Sequence, residues 1–164
     1  MKQVDLIPID QSGALAKPVG ALPEMIRQNC EGTASFYKVV GFVPPWIGYV
    51  GVSEECVVGG GAFKGSPQGN KAEIAYYTLP EFEGRGFATA TARKLIEIAR
   101  NTVSGIVITA QTLPAQNAST SLLKKLGFEL AGTATDSEVG EVWEWRLNAQ
   151  PTVPADGPAS RALR

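Results

Sequence analysis

Residues 71–100, KAEIAYYTLPEFEGRGFATATARKLIEIAR, decide how this 164-residue chain is read. A β-rich run over 72–79 is joined to a helix over 87–100, whose small and apolar positions Ala88, Ala92, Leu95 and Ala99 recur at helical spacing. The joint is a short turn that ends in Gly84, Arg85 and Gly86. Glycines placed there free several backbone N–H groups to point outward, and a helix start adds about half a positive charge at the same spot. Together they make a socket for phosphate.

Two glycine motifs compete for this turn. The dinucleotide fingerprint needs Gly-x-Gly-x-x-Gly or Ala, and here Gly84 and Gly86 are followed by the β-branched Thr89 where the helix must pack closest. The P-loop needs a Gly-Lys-Ser/Thr ending, which the chain lacks. An ordinary strand-turn-helix joint that uses Gly for positive φ is the remaining ligand-free reading.

A third pattern fits better. Glu83-Gly84-Arg85-Gly86-Phe87-Ala88 resembles the coenzyme A loop of the GCN5-related N-acetyltransferase (GNAT) superfamily, Gln/Arg-x-x-Gly-x-Gly/Ala, and departs from it at Glu83. Further marks, Gly59-Gly60-Gly61-Ala62-Phe63-Lys64-Gly65, Glu73-Ile74-Ala75-Tyr76 and Leu126-Gly127-Phe128, follow in the right order. They resemble the branch that contains the ribosomal-protein N-acetyltransferases, and the likeness spans roughly residues 45–147.

The resemblance implies an α/β fold of mixed GNAT-like type, with a central twisted sheet of about six to seven strands flanked by helices. It implies acetyl-CoA as co-substrate, with its pyrophosphate on successive amides of Glu83, Gly84, Arg85, Gly86, Phe87, Ala88 and Thr89. An amide near Tyr76, Tyr77 or Thr78 is expected to polarise the thioester carbonyl.

Composition bounds the rest. A chain of this length is most simply one domain with a sizeable core, here expected over 1–148. The Pro/Ala/Gly-rich end at 149–164 is expected to be a mobile tail. Hydrophobic residues make up 44% and charged ones 19%, the balance of a globular protein. A net charge of -1 gives no sign of a nucleic-acid or anionic-membrane surface. No apolar run is long enough for a bilayer, and the opening residues lack a signal peptide's apolar segment, so a cytoplasmic location is expected; separately, the chain is expected as a monomer or homodimer.

There is no histidine, which removes Ser-His-Asp and Cys-His nucleophile systems, the His-Glu-x-x-His zinc site and a His general base. Cys30 and Cys56 are far apart and form no disulfide framework, and no metal site is expected.

In chain order, 3–9 reads as an opening edge strand limited by Pro8, and 23–27 as a helix start with Pro at its first turn. A second helix, 34–40, closes at Gly41, matching the paired helices that wall the acceptor site in the resembling family. Runs 46–53 and 56–63 form a hairpin around Ser53-Glu54-Glu55, and the glycines 59–61 mark a bulge or a close backbone approach. Residues 105–110 read as a buried parallel strand, giving a right-handed crossover with the strand and helix before it. A helix then starts at an Asn117 cap and ends at Gly127, with Ala118, Leu122, Leu123 and Leu126 on one side and Lys124 and Lys125 on the other. Runs 129–135 and 142–147 alternate as a final hairpin.

Glu73 is the candidate general base, since it lies on the central strand just before the turn and a Glu there often deprotonates the incoming ammonium in the family. Such a base needs a carboxylate close to the acceptor nitrogen, and partial burial is what moves a carboxyl toward the working pH. The alternative is that strand alternation turns it to solvent. Leu123 stands where many superfamily members have a Tyr that protonates the departing thiolate. Either Ser119 supplies that proton or none is supplied by a side chain, and Ser119 also reads as part of a helix cap. Asn117 resembles the family Asn that bonds the pantetheine arm, with Gln116 as the alternative register. Arg85 is expected to offset Glu83 at the phosphates.

Two function classes follow. One is an acetyl-CoA-dependent N-acetyltransferase acting on a small-molecule or peptide amine by direct attack in a ternary complex. The other is a non-catalytic CoA-binding or sensing module of the same fold, favoured by Glu83 and Leu123. A covalent acyl-enzyme is not expected without a reactive nucleophile pair.

Overall fold

The structure is a computed structural model and describes residues 3–149. The segment expected as a tail lies, all but its first residue, outside the described residues.

One seven-stranded sheet runs in the order β1-β2-β3-β4-β5-β7-β6. Its strands are β1 (Asp5–Pro8), β2 (Gly48–Ser53), β3 (Cys56–Phe63), β4 (Lys71–Thr78), β5 (Val107–Thr112), β6 (Glu129–Asp136) and β7 (Gly140–Leu147). The helices are α1 (Glu24–Val40), α2 (Phe87–Thr102) and α3 (Ala118–Lys125). β4 and β5 pair in parallel across the crossover helix α2, and every other adjacent pair is antiparallel. The mixed sheet, the crossover and both hairpins agree with the sequence reading. Among the described residues no helix is long and apolar enough to cross a membrane.

One element differs. The stretch 23–41 was expected as two helices and is a single helix of 17 residues. Pro23 does stand at its start, and Gly41 at φ 93° ends it, with its N–H on the Tyr37 carbonyl at 2.7 Å. Gly32 in the middle has open space where a Cβ would go. A helical Gly costs about 1 kcal/mol relative to Ala. The buried stripe Ile26, Cys30 and Tyr37 runs past it and holds both halves against the sheet. The Tyr37 hydroxyl locks the helix further, donating to the Ile9 carbonyl (2.8 Å) and accepting from the Gly48 N–H (2.9 Å).

The glycine run satisfies both of its expected roles. The β2–β3 register shifts between Gly51 and Val52, opposite Gly59 and Val57, which is a bulge. A Cβ on Gly59 would lie 2.2 Å from the Tyr77 carbonyl oxygen. A Cβ on Gly61 would meet Leu95 and Thr91 of α2 at 2.8 and 2.9 Å. Gly61 therefore faces α2, and so does its cross-strand partner Tyr76. Gly48 faces Thr33 of α1, and its register mates Ala62 and Ala75 share that side. Period-two alternation then puts Ala72, Ile74 and Tyr76 of β4 on the α2 face, with Glu73 and Tyr77 on the α1 face. The main core joins Ala72 and Ile74 to Leu95, Ile96 and Ala99 of α2, and extends through Ile108, Leu123 and Trp145.

Candidate active site

The sheet opens at its centre. Pairing of β4 with β5 runs from Lys71↔Val107 to Glu73↔Thr109, while β4 continues to Thr78 against β3, and β5 continues to Thr112 against β7. Beyond Glu73 the two parallel strands splay. The Lys64 N–H donates to the Glu73 carbonyl (2.9 Å) and the Leu79 N–H to the Val58 carbonyl (2.8 Å), so odd-numbered residues of β4 turn their main-chain groups to β3. The main-chain groups of Ile74, Tyr76 and Thr78 consequently face the gap.

The connection from β4 to α2 closes one end of that gap. Leu79 leads into a 3₁₀ turn, Pro80–Phe82. Gly84 (φ 76°) and Gly86 (φ 89°) then take left-handed conformations that a β-branched residue would adopt only under strain. Phe82 and Phe87 brace the turn edge to face at 5.9 Å. Ala90 makes the first helical bond of α2, to the Gly86 carbonyl at 3.1 Å. The amides of Ala88 and Thr89 precede it, at the positive end of the helix dipole.

Around these features lies a cleft of about 650 Å³. Its floor is Tyr76, Tyr77 and Thr78. One wall is Phe82, Glu83, Gly84, Gly86, Phe87, Ala88 and Thr89, and the facing wall is α3, through Ala118, Ser119, Ser121, Leu122 and Lys125. The hydroxyls of Tyr77 and Thr78 are buried and have no hydrogen-bond partner among the described residues. Burial pushes the Tyr76 phenol up to about 12 and the Tyr77 phenol higher still, so both remain protonated donors at neutral pH.

Ten residues singled out in the sequence meet on this cleft: Tyr76, Tyr77, Thr78, Glu83, Gly84, Gly86, Phe87, Ala88, Thr89 and Ser119. Three do not line it. The Arg85 guanidinium sits over the Phe82 ring, 5.5 Å from its centroid. Asn117 caps α3, its Oδ1 accepting from the N–H groups of Ser119 (2.9 Å) and Thr120 (3.2 Å) in a capping box completed by the Thr120 hydroxyl. Glu73 lies where the splay begins, on the α1 face, with its Oε2 3.2 Å from the Lys64 ammonium. It is neither solvent-pointing nor on the cleft, and its side chain is 28% exposed.

The α3 wall was only half read from the sequence. Lys125 was expected beside Lys124 on the side away from Ala118 and Leu122, but it lines the cleft with them. At 100° per residue, position 125 comes back over position 118 after seven residues, whereas Lys124 turns to Gln116 Oε1 at 3.2 Å. Residues 118, 121, 122 and 125 form the helical stripe that would have identified this wall.

A long ligand with phosphates at one end and a polar, flexible arm fits these features. The turn and first amides of α2 suit the phosphates, the Thr78 hydroxyl can meet a polar atom, and the splayed strands leave room for a narrow chain. Among the described residues no cluster of three or more His, Cys, Asp or Glu is placed to hold a metal ion.

Residues 25–128, more than half of the chain, match the sequence model described as Acetyltransferase (GNAT) family. No curated protein sequence matches. Among solved structures the fold is similar to RimL, a ribosomal L7/L12 alpha-N-protein acetyltransferase in apo form, with a TM-score of 0.67 at 17% identity over 93% of this chain and 97% of that one. It is also similar to yncA, a putative acetyltransferase from Salmonella typhimurium with its cofactor acetyl-CoA (TM-score 0.61, 16% identity, 94% and 98% covered). Mycobacterium smegmatis RimJ in complex with CoA-disulfide gives a TM-score of 0.59 at 19% identity, over 74% of this chain and 60% of that one. At these identities the likeness is one of fold.

Proposed function

Because the chain belongs to the acetyltransferase (GNAT) family, we propose that it moves an acetyl group from acetyl-CoA to an amine by direct attack while both substrates are bound. Acetyl-CoA-dependent acyl transfer comes with the family. Direct attack, the amine acceptor and the residue roles are the proposal. The observation that supports it is the splay of β4 from β5 beside the left-handed glycine turn, which brings the amides of the turn and the gap-facing main chain of β4 onto one cleft.

Acetyl-CoA supplies an activated thioester when bound. The turn from Glu83 to Gly86 and the amides of Ala88 and Thr89 hold its phosphates. The Thr78 hydroxyl and the amide nitrogen of Asn117, whose Oδ1 is used by the cap, take the pantetheine arm. The Tyr76 main chain, facing the gap, polarises the carbonyl. Glu73 removes a proton from the acceptor ammonium on the α1 face, through water, since its side chain lies off the cleft. The hydroxyl of Ser119, on the facing wall, passes a proton to the departing thiolate and takes one back from solvent. The acceptor is a small-molecule or peptide amine, and residues 1–148 form the working domain, with 149–164 outside it.

Release of free CoA from acetyl-CoA with a panel of peptide N-termini, amino acids, polyamines and aminoglycosides tests this directly. At least one amine should accelerate release well above the amine-free rate. Binding of CoA without acceleration by any acceptor would favour the sensing module.

A further inference from the structure

The cleft proposed above takes a multiply charged anion, yet its turn carries a carboxylate, Glu83, at the position where the resembling loop has Gln or Arg. The nearby cations are mostly committed elsewhere: Arg85 lies over the Phe82 ring and Lys124 reaches Gln116. Among the residues lining the cleft, Glu83 and Lys125 are the charged ones. Lys125 stands one stripe length along α3 from Ala118, on the wall that faces the turn. Its exposed, flexible ammonium is suited to reach an anion at the outer end of the cleft.

Resting on the acetyl-CoA reading, we propose that Lys125 is a specificity-determining residue that binds the phosphate groups of the co-substrate. It supplies from α3 the side-chain charge that the turn lacks. The backbone amides hold phosphate irrespective of overall charge, whereas Lys125 neutralises it, so its effect depends on ionic strength.

The test compares wild type, Lys125→Ala, Lys125→Glu and Lys125→Arg. Calorimetric Kd values for CoA and dephospho-CoA are read beside KM and kcat for acetyl-CoA and S-acetylpantetheine, which has no phosphate. Lys125→Ala should weaken CoA binding about three- to tenfold, the scale of one exposed charge-assisted contact, with kcat unchanged. Lys125→Glu should weaken it further and Lys125→Arg restore it. The effect should shrink with added salt, and KM for S-acetylpantetheine should not move. Loss of the effect with dephospho-CoA would assign the contact to the 3′-phosphate, and its persistence to the diphosphate. Equal losses with both thioesters, or an unchanged CoA Kd in a folded Lys125→Glu variant, would overturn the proposal. A wild type that binds no CoA would overturn it together with the co-substrate assignment, a separate result from a wild type that binds CoA and a variant that binds it equally well.

Discussion

Glu73→Gln is expected to lower kcat by about 10² to 10⁴, the usual contribution of a positioned general base. An acceptor amine is mostly protonated near neutral pH and cannot attack until it loses a proton. Glu73 is the carboxylate on β4 at the point where that strand leaves β5, and it lies on the α1 face of the sheet. The substitution keeps size and hydrogen bonding, removes the proton acceptor, and breaks the ion pair with Lys64. That pair is partly exposed, so its loss costs stability about 1 kcal/mol or less. The acidic limb of the pH-rate profile should flatten while CoA affinity stays within about twofold of wild type, since the side chain is not on the cleft. A fall of less than tenfold with the limb intact would give the proton to another acceptor. A collapse of CoA binding would make Glu73 structural.

Gly86→Val is expected to weaken CoA binding by at least about tenfold, with a smaller loss of stability. Two effects act together. At φ 89° a β-branched residue is strained, so the turn relaxes and the amides of Ala88 and Thr89 lose their aim, each such contact to a charged group being worth about 1.5–3 kcal/mol. The branched side chain would also project from a wall of the cleft that is proposed to take the phosphates. Thermal unfolding separates the two, because strain lowers Tm without ligand, whereas lost binding lowers only the rise in Tm that CoA produces. An unchanged Kd would make the turn a structural joint.

Much of the fold was legible in the sequence because its signals are local. The β-rich runs around Ser53-Glu54-Glu55 named the first hairpin and alternation the last, helical spacing named α2, and Gly84 and Gly86 marked the joint between β4 and α2. Asn117 and Gly127 bracketed α3. The single long α1 was not legible, since residues 28–33 between the two expected helical stretches include a helix-weakening Gly32, and only the burial of Ile26, Cys30 and Tyr37 on one stripe carries the helix through. The site divides the same way. Residues of the strand-turn-helix unit were found because the motif is contiguous, while Lys125 was misplaced because it was grouped by charge with its neighbour Lys124 rather than by helical spacing with Ala118, Ser121 and Leu122. Likewise the aromatic contact that removes Arg85 from the cleft, and the Lys64 partner of Glu73, depend on side-chain directions that spacing does not encode.

The central claim is that the cleft between β4, the turn into α2, and α3 is a site for acetyl-CoA, and calorimetric titration of the full chain with acetyl-CoA, NAD and ATP in parallel tests it most directly. Acetyl-CoA alone should bind stoichiometrically and tightly. At a hundredfold excess over Kd it should stabilise the fold by about 2.7 kcal/mol, with NAD and ATP giving little heat and little rise in Tm. Equal binding of all three ligands, or none by acetyl-CoA, would contradict the account.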